Sequence, residues 1–238
     1  HRRSSAASDV YKRQLLANIL LDELDQELEA RGYSFTRYAD DFLILCRTPR
    51  SGRRILSSIR RFLHTKLKLV VNEAKSAVVQ LREVTFLGFN LNRGRIRWSE
   101  ESKTRFKANI KSITGRTRGV SPTQVIEELR IYIRGAINYY IAGITYQEAR
   151  DLDQWLRRRM RLYYWKQWGR PRPRRLRLMR LGVPREQVHL ASRSRKGPWR
   201  MSQNSIVQSA MTNAWLSQQG VPSIEEQWIA IRYPNGPK

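Results

Sequence analysis

Between Leu15 and Gly32 apolar residues recur every three to four positions, with Leu16, Ile19 or Leu20, Leu24 and Leu28 on one stripe and acids opposite. That spacing predicts an amphipathic helix with Gly32 as its stop. The next stretch, YSFTRYADDFLILCRT, changes period: two short β-rich runs flank Ala39-Asp40-Asp41, which predicts a β-hairpin. FLIL lacks polar alternation, so its strand is expected to be buried on both faces. A second helix is expected from Arg53 to Leu67, burying Ile55, Ile59, Phe62, Leu63 and Leu67. LVVNEAKSAVVQL, VTFLGFNLN and RIRWS then read as short strands joined by tight turns, the last at Asn92-Arg93-Gly94.

After Trp98 the β pattern ends. Ser99 opens a helix through KTRFKANIKSI. Ser121-Pro122 supplies the N-cap and first-turn proline of another, with Val125, Leu129, Tyr132, Ala136 and Tyr139 on its expected buried side. A third helix runs from YQEARDLDQW through LRRRMRLYYWKQW to the break at Gly169-Arg170-Pro171-Arg172-Pro173. Beyond it the chain reads as basic and irregular, apart from one helix in NSIVQSAMTNAWLSQQG. The expected fold class is α+β: β-hairpins with helices, then an all-α part, then a short basic C-terminal region.

Composition adds a partner to this outline. The 238 residues include 46 Lys and Arg against 20 Asp and Glu, a net charge of +26, yet 40% are hydrophobic and seven are Trp. The aromatics mark a folded protein rather than a disordered basic tail. The charge calls for a polyanion, most simply nucleic acid, whose phosphates Lys and Arg neutralise. A membrane partner is the weaker reading, since no uncharged apolar run approaches the roughly 18 to 20 residues that span a bilayer. Cys46 alone cannot form an internal disulfide framework or a Cys-rich zinc site, and His1, His64 and His189 lack ligand spacing. An intracellular, reducing setting is the default. The first fourteen residues are Arg/Ser-rich, and DVYKRQ looks like a translated sequencing adaptor. Residues 1–14 are therefore expected to be a non-native leader, with the native frame extending further upstream.

Two adjacent carboxylates in so basic a chain have two readings. Asp favours turns through local hydrogen bonds, which would explain Asp40 and Asp41 without chemistry. Alternatively they hold divalent metal, whose hard charge relieves their repulsion and serves in-line phosphoryl transfer. The run from Arg157 to Arg180 contains no acid and is interleaved with Tyr163, Tyr164, Trp165 and Trp168. A solvated helix face would show interspersed acids, so this run is expected to meet nucleic acid.

Tyr38-Ala39-Asp40-Asp41 followed by Phe42-Leu43-Ile44 resembles the Y-x-D-D hairpin of reverse transcriptases. Downstream, in that family's order, Leu69, Asn72, Glu73 and Lys75-Ser76 look like the next palm motif. Phe86-Leu87-Gly88-Phe89 looks like the primer grip. Arg134-Gly135-Ala136-Ile137-Asn138-Tyr139-Tyr140 is similar to the R-G-W-x-N-Y-[YF] thumb signature, with Ala136 in place of tryptophan. Arg195-Lys196-Gly197-Pro198-Trp199-Arg200-Met201-Ser202 is similar to a C-terminal segment of bacterial members. From residue 15 to about 227 the chain thus resembles the group II intron-encoded reverse transcriptase/maturases, of the bacterial type without an endonuclease domain.

The resemblance implies part of a polymerase palm over 15–98, a thumb or maturase domain over 99–175 and a DNA-binding region over 176–238. It implies DNA synthesis on an RNA template by a two-Mg²⁺ mechanism, with Asp40 and Asp41 as catalytic metal ligands. Lys75 would meet nucleotide phosphate, although a plain solvated lysine is an equal reading. Phe86, Leu87, Gly88 and Phe89 would hold the primer. RNA or DNA would be bound by Arg134, Asn138, Arg157, Arg158, Arg159, Arg161, Lys166, Arg174, Arg175, Arg195, Lys196 and Arg200. The implied partners are intron RNA, template RNA, DNA primer or target and dNTPs, in a bacterial cytoplasmic ribonucleoprotein. The family's third metal-binding aspartate, its Pro-Gln-Gly motif and its fingers do not occur in this sequence, so the chain by itself is expected to be inactive as a polymerase. Two alternatives stand beside this reading: a maturase-only splicing cofactor, and a reverse transcriptase of the retron or diversity-generating lineages.

Overall fold

The computed structural model describes residues 2–92, 94–115 and 118–236 and forms two compact units, one up to Phe86 and one from Leu87 onward. It is α+β, predominantly helical, with two small antiparallel sheets.

The first unit begins with α1 (Arg2–Ala30). This helix extends back through the Arg/Ser-rich stretch, which contains no Gly or Pro to stop it. Leu24 and Leu28 of the expected stripe are buried, joined by Leu21 in place of Leu20, while Leu16 and Ile19 stay more than half exposed. The hairpin β1 (Phe35–Tyr38) and β2 (Asp41–Ile44) follows. Then come α2 (Pro49–Thr65) and the two-residue β3 (Thr85–Phe86). The α2 helix starts four residues earlier than its apolar stripe suggests. Thr48 caps it, in a reciprocal capping box with Ser51, and Pro49 fills the first turn. Leu21, Leu24 and Leu28 meet Ile59, Leu63 and Leu67 in a small core, with Phe35, Phe42 and Ile44 packed on it.

Two strand expectations fail here. FLIL is only half-buried, and Leu45 is exposed, because the sheet has two strands and one of its faces is open. The segment 69–80 forms no strand, despite its valines; Val70 and Val79 are exposed. A β-prone sequence needs a pleated partner to pair with, and this segment has none among the described residues.

The second unit opens with β4 (Phe89–Asn92) and β5 (Arg95–Trp98), paired Phe89 with Trp98 and Leu91 with Ile96. The expected turn between them includes Arg93, which lies outside the described residues. Three long helices follow: α3 (Glu100–Ile113), α4 (Pro122–Tyr140) and α5 (Tyr146–Gln167). Ser99, Ser121 and Thr145 each accept a backbone N–H at the N-cap. The buried face of α4 is Val125, Ile126, Leu129, Ile133 and Ile137. Tyr132 and Ala136 sit half-buried at its edge, and Tyr139 is 52% exposed.

The C-terminal region is not irregular. It folds into α6 (Pro171–Arg180), α7 (Arg185–Ser192), α8 (Pro198–Met201), α9 (Ser205–Ala210), α10 (Asn213–Gln218) and α11 (Ile224–Arg232). Leu178, Val188, Met201, Val207, Leu216, Ile224 and Trp228 enter the same core as α3, α4 and α5. Hydrogen bonds pin the last helix: Trp228 Nε1 donates to the Ile144 carbonyl at 3.0 Å, and the Ile224 N–H donates to Asp153 Oδ1 at 2.8 Å.

Asp153 is 3% exposed, and its other oxygen accepts from Arg157 Nε at 2.6 Å. Removing one member of such a pair strands the other charge in the core. Arg157→Ala is therefore expected to lower the unfolding free energy by about 3 kcal/mol or more. Exposed Arg175→Ala is expected to change it by no more than about 0.5 kcal/mol. Urea denaturation of the two variants checks the difference.

Candidate catalytic hairpin and nucleic-acid interface

In the first unit the register of the hairpin decides where the carboxylates go. Phe35 pairs with Ile44 and Arg37 with Phe42, so these four share one face of the ribbon, and the three apolar ones pack on the core. Thr36 pairs with Leu43 and Tyr38 with Asp41, so Asp41 lies on the opposite face beside Tyr38. Ala39 and Asp40 form the two-residue turn, and both aspartates are exposed. Ala39 has φ +53°, a left-handed conformation that costs alanine about 1 kcal/mol or more.

Arg37 braces this strained turn. Its Nη1 donates to the Ala39 carbonyl at 2.9 Å and to Asn18 Oδ1 at 3.1 Å. Its Nε and Nη2 grip the Asp25 carboxylate of α1 at 2.8 and 2.5 Å. The bidentate contact with Asp25 raises the Arg37 pKa further above its ordinary value, the carboxylate's charge outweighing the opposing cost of burial. One guanidinium thus ties the Asp40 turn to α1, a role that sequence reasoning missed. The only available signal was an arginine three residues before the carboxylate pair.

Asp40 and Asp41 have the hard oxygen donors that a divalent ion takes. Among the described residues, no group of three or more His, Cys, Asp and Glu is placed to hold one. Lys75 is exposed in a turn whose backbone closes from Lys75 N to Asn72 O at 3.2 Å. Phe86 is half-buried at the end of this unit.

In the second unit Leu87 and Gly88 are consecutive left-handed residues, with φ +51° and +77°. A Cβ on Gly88 would stand 2.6 Å from Ser102 Oγ and 2.9 Å from the Tyr140 hydroxyl. Here the glycine is needed both for its conformation and for the close approach. The Tyr139 hydroxyl donates to the Leu87 carbonyl at 3.2 Å, and Phe89 lies against both tyrosine rings. Tyr140 also stacks on Trp98, with centroids 4.6 Å apart. The Tyr139-Tyr140 end of the signature therefore clamps the Leu87–Phe89 segment to α4. Arg134 and Asn138 are exposed on α4, and the Arg134 carbonyl and Asn138 Oδ1 both accept from Gln227.

The arginine run divides by depth. Arg157 is buried against Asp153 and the Asn213 carbonyl, so a surface role for it is corrected to an internal one. Arg159 donates to Thr114 Oγ1 and the Lys111 carbonyl, and Arg161 to the Met211 carbonyl and Asn213 Oδ1. Arg158 lies 3.6 Å from the centre of the Trp199 ring, and Arg174 lies 4.6 Å from that of Trp165. Burial lowers the pKa of Arg158, Arg159, Arg161 and Arg174. These side chains join helices. Lys166 is half-buried. The exposed basic members of the expected set are Arg134, Arg175, Arg195, Lys196 and Arg200, and Arg172, Arg177 and Arg180 on α6 are open as well.

The first unit thus presents a carboxylate-bearing β-hairpin, and the second a basic helical bundle. Residues 14–91 match the model of the reverse transcriptase (RNA-dependent DNA polymerase) family, and residues 103–182 match that of the group II intron maturase-specific domain. The chain belongs to the group II intron reverse transcriptase/maturases. No individually curated protein matches it. The polymerase domain is present in part, and the pairing of these two domains favours this family over a maturase without a polymerase and over other reverse transcriptase lineages. Intron RNA and nucleic-acid substrates are the partners this membership implies. No helix among the described residues is long and apolar enough to cross a membrane.

Gly88→Ala is expected to destabilise the chain by about 2 kcal/mol or more, through its left-handed φ and the close approach to Ser102 and Tyr140. Gly135→Ala, in a helix with open space around its missing Cβ, is expected to stabilise it by about 0.5 to 1 kcal/mol. Opposite shifts of the denaturation midpoint check the pair.

Proposed function

We propose that the first unit supplies two metal-binding carboxylates of an RNA-directed DNA polymerase, and that the second grips intron RNA through its exposed arginines and lysines. The observation that carries the first half is the Arg37 brace, which fixes a strained turn while leaving Asp40 and Asp41 open to solvent. A turn chosen only for its folding chemistry needs neither the strain nor two repelling carboxylates. Asp40 and Asp41 would be oxygen donors to Mg²⁺, which when bound supplies charge to the attacking and leaving oxygens of phosphoryl transfer. Arg37 keeps the turn in place, and Tyr38 flanks Asp41 on the same open face. Lys75 is assigned to nucleotide phosphate, and the segment Phe86–Phe89 to the primer strand.

Two carboxylates do not complete a two-metal site, so the chain alone is expected to give little or no primer extension on an RNA template with Mg²⁺. Robust synthesis would overturn that statement. Metal binding has its own readout. Mn²⁺ titrated into the chain and followed by electron paramagnetic resonance should bind more weakly after Asp40→Asn. An unchanged isotherm would remove Asp40 from the site.

Binding of intron RNA should weaken steeply with salt, since each neutralised phosphate releases counterions. Replacing Arg175, Arg195, Lys196 and Arg200 with Gln should lower the affinity. It should also flatten the slope of log K against log salt by roughly 0.7 to 0.9 for each phosphate no longer neutralised. Filter binding across a salt series measures this, and a slope equal to that of the unmodified chain would refute the assignment.

A further inference from the structure

We infer that Trp199 is a stacking platform for an unpaired nucleobase, an assignment that rests on the RNA-binding reading above and adds a residue and a ligand class to it. Of the seven tryptophans it is the most exposed, at 39% of its surface, whereas Trp98, Trp165, Trp168 and Trp228 are all at or below 7%. Its ring is nevertheless held in place. The Arg158 guanidinium lies 3.6 Å from the ring centre, and Arg158 Nη2 donates to the Trp199 carbonyl at 3.3 Å. The same carbonyl accepts from Ser202 Oγ at 2.7 Å. Arg158 comes from the long helix α5, so the indole on the short helix α8 is backed by a rigid element. A large aromatic surface fixed on one side and open to solvent is what a second flat π-system requires.

The charge around it selects the class of partner. Arg195, Lys196 and Arg200 are exposed within four residues of Trp199, and no acid occurs between Glu186 and Glu225. A ring flanked by cations, in a stretch of chain without acids, suits a nucleotide, whose base stacks while its phosphates meet the guanidinium and ammonium groups. The bases of a continuous duplex are already stacked on one another. The platform therefore favours a loop, bulge or single strand over a helix.

The test uses the whole chain and two fluorescein-labelled RNAs of equal phosphate number, a single-stranded oligouridine and a perfect hairpin duplex. Trp199→Leu keeps apolar bulk but removes the π-face, and Trp199→Phe keeps a smaller one. Trp199→Leu is expected to weaken single-strand binding about tenfold and duplex binding less than about twofold, with Trp199→Phe in between, in line with stacking energies for single bases. Photocrosslinking of 5-iodouridine RNA, mapped by mass spectrometry, is expected to label Trp199. Equal losses on both RNAs, or single-strand binding unchanged by Trp199→Leu, would overturn the platform and leave general RNA binding intact. Absence of binding to either RNA by the unmodified chain would instead sink the RNA-binding reading itself. Thermal melts confirm that the Trp199→Phe protein is folded, so the comparison stands even if Trp199→Leu does not fold.

Discussion

The carboxylate of Asp153 organises the whole second unit. It is buried on α5, accepts the Arg157 Nε on its own helix and caps the first N–H of α11, 71 residues further along the chain. Arg157 then reaches the Asn213 carbonyl at the start of α10. A single negative charge thus fixes where two later helices dock, and it does so in the most basic part of the sequence. A buried pair of this kind costs desolvation energy, and its value lies in specifying one arrangement. Without it, the short helices after α5 would have apolar faces but little to set their register.

The neighbouring arginines follow a related rule. A guanidinium has five donors and no acceptor, so it pairs with oxygens, and acids are scarce in this chain. The ends of helices provide them, because the last carbonyls of a helix have no partner of their own and carry its negative dipole. Arg118 donates to the Ile113 carbonyl and Arg159 to the Lys111 carbonyl, both in the last turn of α3. Arg161 takes the Met211 carbonyl at the end of α9, and Arg232 the Ile141 carbonyl at the end of α4. In this way a chain with net charge +26 turns part of its cationic excess into internal fastening and leaves the remainder on the surface.

Much of this was legible beforehand where the physics is local. The Ser99 and Ser121-Pro122 caps marked two helix starts, and the change of period around Ala39 marked the hairpin. Thr48-Pro49 carried the same signal as Ser121-Pro122, but the apolar stripe drew attention to Arg53 instead. Of the six helices after Gly169, α9 and α10 read as one in the sequence; the others span only 4 to 10 residues, too few for a 3.6-residue period to show, and they share a core with α5. Depth was not legible within the arginine run, since a row of like residues reads alike whether it faces water or protein. The exception was Asp153, four residues before Arg157, the spacing at which two side chains meet on a helix.

The same reasoning separates the two kinds of acid in the chain. Asp25 and Asp153 are each held by an arginine, and each serves to position something else: the Ala39 turn in one case, α11 in the other. Asp40 and Asp41 differ because the arginine nearest in sequence, Arg37, points away from them to Asp25 and the Ala39 carbonyl. An arginine neutralising the pair would quiet their repulsion and also occupy the oxygens that a metal ion needs. By directing its donors to the backbone and to α1, Arg37 secures the turn and leaves those oxygens open. In a protein with more than twice as many basic as acidic residues, two adjacent carboxylates are thus kept clear of that brace, as the proposed metal-binding role requires.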